Sequence, residues 1–246
     1  MWLAQDRFLF HPRTEMEPPA AFGLDEFRRV TFRTSDGVEL VGWLHQAATS
    51  DKAILFFYGN ADALPPYAGF FRTFAEAGYS VLGVNYRGYG GSTGAPSEQG
   101  FYRDAAAALA FLGQRVPSEN VLAIGRSIGS GVVVDLAARE RLRAIALISP
   151  FASVTEVAAD AFWYLPVRVL MPDRFDSLTD IRKVTAPSLI LHGDRDTLIP
   201  IAQGRRLHDA ANGPKRFEVL EGADHIEMDL GRIARSIIAF DSGRGR

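Results

Sequence analysis

The chain of 246 residues contains no cysteine. Disulfides, cysteine nucleophiles and thiolate metal sites are excluded together, and such a chain suits a reducing compartment. It also lacks an excess of either charge: 27 basic and 29 acidic side chains leave a net −2. Without a basic stripe to meet phosphates, no nucleic-acid partner is expected. Long apolar runs are missing as well; none approaches the roughly 18–20 residues of a membrane span. Residues 1–10 include Asp6 and Arg7 and have no long apolar centre, so they do not read as a signal peptide. A cytoplasmic location is expected. The same stretch nevertheless holds Trp2, Leu3, Phe8, Leu9 and Phe10. The plain reading is a terminal arm packed on the core. The alternative is a peripheral membrane contact, which would make the protein membrane-associated.

What is present is apolar residues, 47% of the chain, enough for a full core. No internal repeat interrupts them. Short apolar runs at residues 29–34, 38–45, 53–58, 80–86, 121–125, 144–149, 188–192 and 216–220 read as strands. Helical patterns at 65–77, 98–115, 129–141, 202–211 and 227–240 fall between most of them. The first two strands form a hairpin through Ser35-Asp36-Gly37. Strands alternating with helices imply an α/β fold: an eight-stranded, mostly parallel sheet covered on both faces. One domain over residues 1–246 is expected, with residues 151–187, after the sixth strand, as a small helical cap or lid. Oligomeric state is not readable.

Gly125-Arg126-Ser127-Ile128-Gly129 has the form G-x-S-x-G. The bare pattern arises by chance, but here a buried strand precedes it and a helix follows, the setting in which a serine is lifted onto a tight, strained turn. Ser127 is the candidate nucleophile. A serine hydroxyl needs a base to take its proton. Of the five histidines, His11 lies in the arm, His45 ends an early strand, His192 ends the seventh strand and His208 sits within a helix. His225 follows the last strand, at the carboxyl edge where open α/β sheets hold ligands. It is the candidate base. The acid should fall between them in chain order. Asp196 of His192-Gly193-Asp194-Arg195-Asp196 stands in the loop and is preferred over Asp194, which reads as holding the turn. Acyl transfer also needs two donors for the oxyanion. The backbone N–H groups of Ile128 and Asn60 are the candidates, with Ala61 second to Asn60. Gly88 to Gly94 lacks the ending of a Walker motif and reads as a structural loop.

Taken in order, Tyr58-Gly59-Asn60-Ala61, Asn85-Tyr86-Arg87-Gly88-Tyr89-Gly90-Gly91-Ser92, Gly125 to Gly131, His192 to Asp196 and Gly222-Ala223-Asp224-His225 resemble the α/β-hydrolase superfamily. Within it the chain is similar to the BEM46-like group, related to the alpha/beta hydrolase domain-containing proteins 13 and 17 and to serine aminopeptidase-like hydrolases. Phe10-His11-Pro12-Arg13 resembles the Phe-Tyr-Pro-Arg element near the start of that group. The resemblance implies a Ser-Asp-His triad, no metal, no organic cofactor, and small-molecule ester or thioester substrates with an apolar, lipid-like acyl part. Tyr58 departs from the family, which usually has histidine there, and the N-terminal membrane anchor that many relatives carry is not expected here. Tyr58, Phe151, Trp163 and Leu198 are the expected substrate-binding side chains. The first expectation is an esterase or thioesterase working through an acyl-enzyme. The alternatives are a peptidase on short peptides, with Glu156, Asp160 or Asp173 receiving an amino terminus, and a non-catalytic binding protein on the same fold.

Overall fold

Eight strands make one sheet in the order β1-β2-β4-β3-β5-β6-β7-β8. A computed structural model describes residues 17–161 and 173–243, those of 158–161 by backbone alone. The strands are β1 (Arg28–Arg33), β2 (Glu39–His45), β3 (Ala53–Phe57), β4 (Ser80–Val84), β5 (Val121–Arg126), β6 (Ala144–Ile148), β7 (Ser188–Gly193) and β8 (Lys215–Leu220). The hairpin pairs β1 with β2 antiparallel, and β2 meets β4 antiparallel. Every pairing from β4 through β8 is parallel.

The strand sequences explain the layering. β3, β4 and β6 are buried at every position, as strands covered on both faces must be. β1 alternates between exposed and half-buried positions because it is an edge. The α-helices of the described residues are α1 (Ala68–Glu76), α2 (Glu98–Gly113), α3 (Ile128–Arg139), α4 (Val154–Ala161), α5 (Ser177–Asp180), α6 (Ile201–Ala210) and α7 (Leu230–Ser242). α1 packs with α7, while α2, α3, α5 and α6 pack in succession, so helices cover both faces of the sheet. None of the described helices is long and apolar enough to cross a membrane.

The expected strands and helices correspond to observed ones within a few residues. The 151–187 insertion is narrower as a cap than expected. Its returning part is body rather than lid: Phe175, Ile181 and Val184 are buried in the main core, and α5 packs on α3. Glu98, at the start of α2, fastens that return. Its carboxylate accepts from the Arg174 N–H at 2.7 Å, the Phe175 N–H at 2.9 Å and the Tyr102 hydroxyl. The outgoing stem is tied to the same place, because Val154 N–H donates to Arg174 O at 3.1 Å.

At the amino edge of the sheet, Asp241 of α7 is fully buried. It accepts from Arg143 Nε at 2.6 Å and the Tyr79 hydroxyl at 2.7 Å. Both partners precede strands, so this carboxylate clamps α7 across the bottom of the sheet. Removing one member of a buried charged set strands the others, at a cost of about 3–5 kcal/mol. Asp241→Ala is expected to lower unfolding stability by that amount, read from the urea midpoint. An unchanged midpoint would show that the clamp carries no load.

Candidate active site

The Val121–Arg126 strand delivers Ser127 to the carboxyl edge, where α3 begins at Ile128. Ser127 has φ +52° and ψ −120°, a backbone that side chains rarely adopt. The turn closes because its flanks have no side chains. A Cβ on Gly125 would lie 2.2 Å from Gly129 O, and one on Gly129 would lie 2.3 Å from Phe57 O. Ser127 N–H donates to Ile148 O at 2.9 Å, and both the N–H and the hydroxyl of Ser130 donate to Ser127 O. The strained residue is therefore held from several directions.

Two loops meet over it. Asp194 Oδ1 accepts from Gly222 N–H at 2.7 Å, and Arg195 N–H donates to Ala223 O at 3.0 Å, so the turn after β7 is laced to the loop after β8. Asp224 Oδ1 accepts from the N–H groups of Ile226 and Glu227 and shapes the chain beyond His225. This lacing brings together the predicted trio. His225 Nε2 lies 3.1 Å from Ser127 Oγ, and His225 Nδ1 lies 2.8 Å from Asp196 Oδ2. A carboxylate only accepts, so Nδ1 carries the proton and donates to it. That leaves Nε2 as the acceptor facing the serine hydroxyl.

The Asp196 side chain is wholly buried. Burial alone would raise its pKa. Hydrogen bonds from His192, His225 and Ile199 N–H outweigh burial and hold the carboxyl well below the ordinary range. His192, which ends the seventh strand, is fully buried and donates from Nε2 to Ile199 O at 2.8 Å, with that nitrogen 3.5 Å from Asp196 Oδ2. His208 lies beside Asp209 and His45 against the ring of Phe27, both apart from the trio. His11 lies outside the described residues.

The loop after β3 supplies the other wall. Gly59 packs so closely that a Cβ there would lie 3.3 Å from Ser127 Cβ, which sets the Asn60 backbone beside the serine. Asn60 Oδ1 accepts from the Tyr89 hydroxyl at 3.1 Å and from Ala61 N–H at 3.0 Å. Ala61 itself has φ +55°. Ile128 opens α3 directly after the serine.

Two expected substrate contacts need correction. Tyr58 is fully buried: its hydroxyl donates to Asn85 Oδ1 at 3.0 Å, and its carbonyl accepts from the Tyr86 hydroxyl at 2.9 Å. It supports the loop from below instead of facing a ligand. Phe151 is also buried, against Phe175. A side chain closed into the core offers no surface to a ligand. Leu198, by contrast, is 60% exposed two residues beyond Asp196. Trp163 lies outside the described residues.

Sequence reading also passed over Arg126. Its guanidinium donates to Asp62 Oδ2 at 3.0 Å, to the Tyr67 hydroxyl at 2.6 Å and to the main-chain oxygen of His225 at 2.7 Å. The only signal for it was its place inside the Gly-Arg-Ser-Ile-Gly pattern. Among the described residues no group of three or more His, Asp or Glu side chains is arranged to hold a metal ion.

A sequence model of the α/β-hydrolase fold matches residues 52–179. An uncharacterized protein of Mycobacterium tuberculosis is 38% identical over 239 residues, which span 95% of this chain and 85% of that protein. The chain belongs to the α/β-hydrolase family. Human alpha/beta hydrolase domain-containing protein 17B is 33% identical, over 80% of this chain and 69% of its own length. Among solved structures, an esterase of Pyrococcus furiosus superposes with a TM-score of 0.75 and 22% identity, covering 96% of both chains. The hydrolase GrgF from Penicillium gives 0.72 at 19% identity, over 87% of this chain and 97% of that one. These two likenesses concern the fold.

The depressed Asp196 carboxyl has a consequence for stability. Its ionised form is favoured in the folded state, so its contribution is complete above the unfolded pKa of about 3.9 and is lost as pH falls below it. Urea midpoints of wild type and Asp196→Asn should therefore differ most above about pH 5, begin to converge as pH falls through about 4, and still differ clearly at about pH 3. A gap that stayed constant with pH would show that the carboxyl is not held low.

Proposed function

We propose that this α/β hydrolase cleaves carboxylic ester or thioester bonds of substrates with an apolar acyl part, through an acyl-enzyme on Ser127. The observation that carries the reading is the unbroken line Ser127 Oγ to His225 Nε2, and His225 Nδ1 to Asp196 Oδ2, at 3.1 and 2.8 Å. Serine, neutral imidazole and carboxylate in that order are the parts that nucleophilic acyl transfer requires.

In this mechanism His225 Nε2 takes the hydroxyl proton as Ser127 Oγ bonds to the acyl carbon. Asp196 steadies the resulting imidazolium through Nδ1–H. The oxyanion forms between the N–H groups of Ile128 and Asn60. His225 then gives its proton to the departing alkoxide or thiolate, and the acyl group stays on Ser127. Water enters, loses a proton to the imidazole and attacks the acyl carbon. Ser127 leaves with that proton, and the acid product is released.

The apolar preference draws on the surface beside the trio. Leu198 and Ile226, the exposed large hydrophobic side chains of the described residues, flank Asp196 and His225 at 60% and 79% exposure. Apolar side chains at the mouth of a site favour an apolar ligand. Two of the carboxylates considered for an amino terminus are engaged elsewhere, and the Asp160 side chain lies outside the described ones. Glu156 pairs with Arg206 at 2.6 Å, and Asp173 accepts from Glu98 N–H at 2.8 Å. The likeness to an esterase fold agrees with the ester reading.

A fluorophosphonate probe should label the wild type and leave Ser127→Ala unlabelled. On nitrophenyl esters, Ser127→Ala and His225→Ala should each lower kcat on the order of 10⁴-fold or more, because the trio acts as a unit. A chain-length series should rise with acyl length before it falls, and aminoacyl amides should turn over more slowly. Absent labelling of folded wild type would remove the serine mechanism. Amide turnover without ester turnover would replace the esterase with a peptidase.

A further inference from the structure

We propose that Arg126 is a positioning residue whose guanidinium fork fixes the oxyanion loop and the histidine loop at a set spacing around Ser127. This rests on the serine-hydrolase reading above. Arg126 ends β5, directly before the serine, and its side chain is 13% exposed. Nη1 reaches towards the loop after β3, donating to Asp62 Oδ2 at 3.0 Å, and Nη2 reaches the other way, donating to His225 O at 2.7 Å. Asp62 lies two residues beyond Asn60, in the loop whose backbone is to meet the oxyanion. The contact with His225 is made to that residue's own carbonyl, so it fixes the backbone from which the imidazole hangs.

The Tyr67 hydroxyl closes the arrangement. It donates to the same Asp62 oxygen and accepts from Arg126 Nη1 at 2.6 Å. Tyr67 is buried at the entrance to α1, which anchors the far end of the loop. The guanidinium is planar and its two terminal nitrogens keep a fixed separation, so it acts as a rigid spacer between the two loops. A lysine ammonium is a single point and cannot stand at both ends. Paired with Asp62, the arginine charge is also neutralised beside an imidazole that must become cationic during turnover.

A spacing error of about 1 Å between reacting groups costs on the order of 10²-fold in rate. In full-length protein, Arg126→Gln and Arg126→Lys are therefore expected to lower kcat about 10- to 100-fold on a nitrophenyl ester with KM nearly unchanged. The fluorophosphonate labelling rate should fall in parallel. Added guanidinium ion should restore part of the rate of Arg126→Ala and none in Ser127→Ala. Asp62→Asn, which keeps the arm to His225, should show a smaller loss of kcat at unchanged KM. Wild-type kcat in Arg126→Gln and Arg126→Lys would overturn the proposal. So would a loss matched by the unfolded fraction in a urea titration. If the arginine variants do not fold, wild-type kcat in Asp62→Asn overturns it, and a reduced kcat at constant KM supports it. Failure of the underlying reading looks different: wild type itself then goes unlabelled.

Discussion

The backbone of Ser127 is the constraint on which the rest of the site depends. A left-handed φ of +52° at a residue with a side chain is strained, and the surrounding structure has to hold it. Ile148 O takes its N–H from one side, and Ser130 takes its carbonyl from the other. Gly125 and Gly129 let strand, turn and helix approach to distances at which a Cβ would collide with backbone. The parallel sheet makes this possible, because β5 lies between β3 and β6 and the turn emerges against both neighbours.

Around that turn the molecule gathers buried polar groups and satisfies them. Asp196 sits out of water yet accepts from two backbone N–H groups and from His225, so its charge is stable where burial alone would expel it. The same logic operates at the opposite edge of the sheet, where Asp241 accepts from Arg143 and Tyr79. In each place a carboxylate joins segments far apart in the chain. At the site the result is a set of loops with little freedom, which suits a reaction sensitive to sub-ångström placement.

The ring of tyrosines beside the loop after β3 explains the unusual Tyr58. Its hydroxyl meets Asn85, Tyr86 meets its carbonyl, and Tyr89 meets Asn60. One aromatic layer thus joins the loop after β3 to the loop after β4. The Gly88 to Gly94 stretch serves that layer as a closed turn, with Gly88 N–H donating to Thr93 O and Ser92 Oγ–H donating to Asn85 O. Family membership and the shared fold are consistent with this scaffold. Leu198 and Ile226 leave exposed apolar side chains beside Asp196 and His225 in the chain.

The sequence by itself determined the strand-helix alternation and the tight turn at Ser127. Apolar runs and glycine spacing are local properties that survive without a third dimension. Chain order was enough to rank Asp196 and His225 above their neighbours, because the topology of parallel strands delivers all their loops to one edge. Only the tertiary structure decided which way side chains face. Tyr58 and Phe151 looked like pocket residues because an aromatic residue beside a loop reads the same whether it points in or out. Arg126 looked like a spacer in a motif, since nothing local to it reveals that Asp62 and His225, 64 and 99 residues away, converge on its guanidinium. The returning half of the 151–187 insertion read as lid because its burial comes from α2 and α3, elements that lie before it in the chain. Contacts between distant segments carry no periodicity, and that is the physical reason they were hidden.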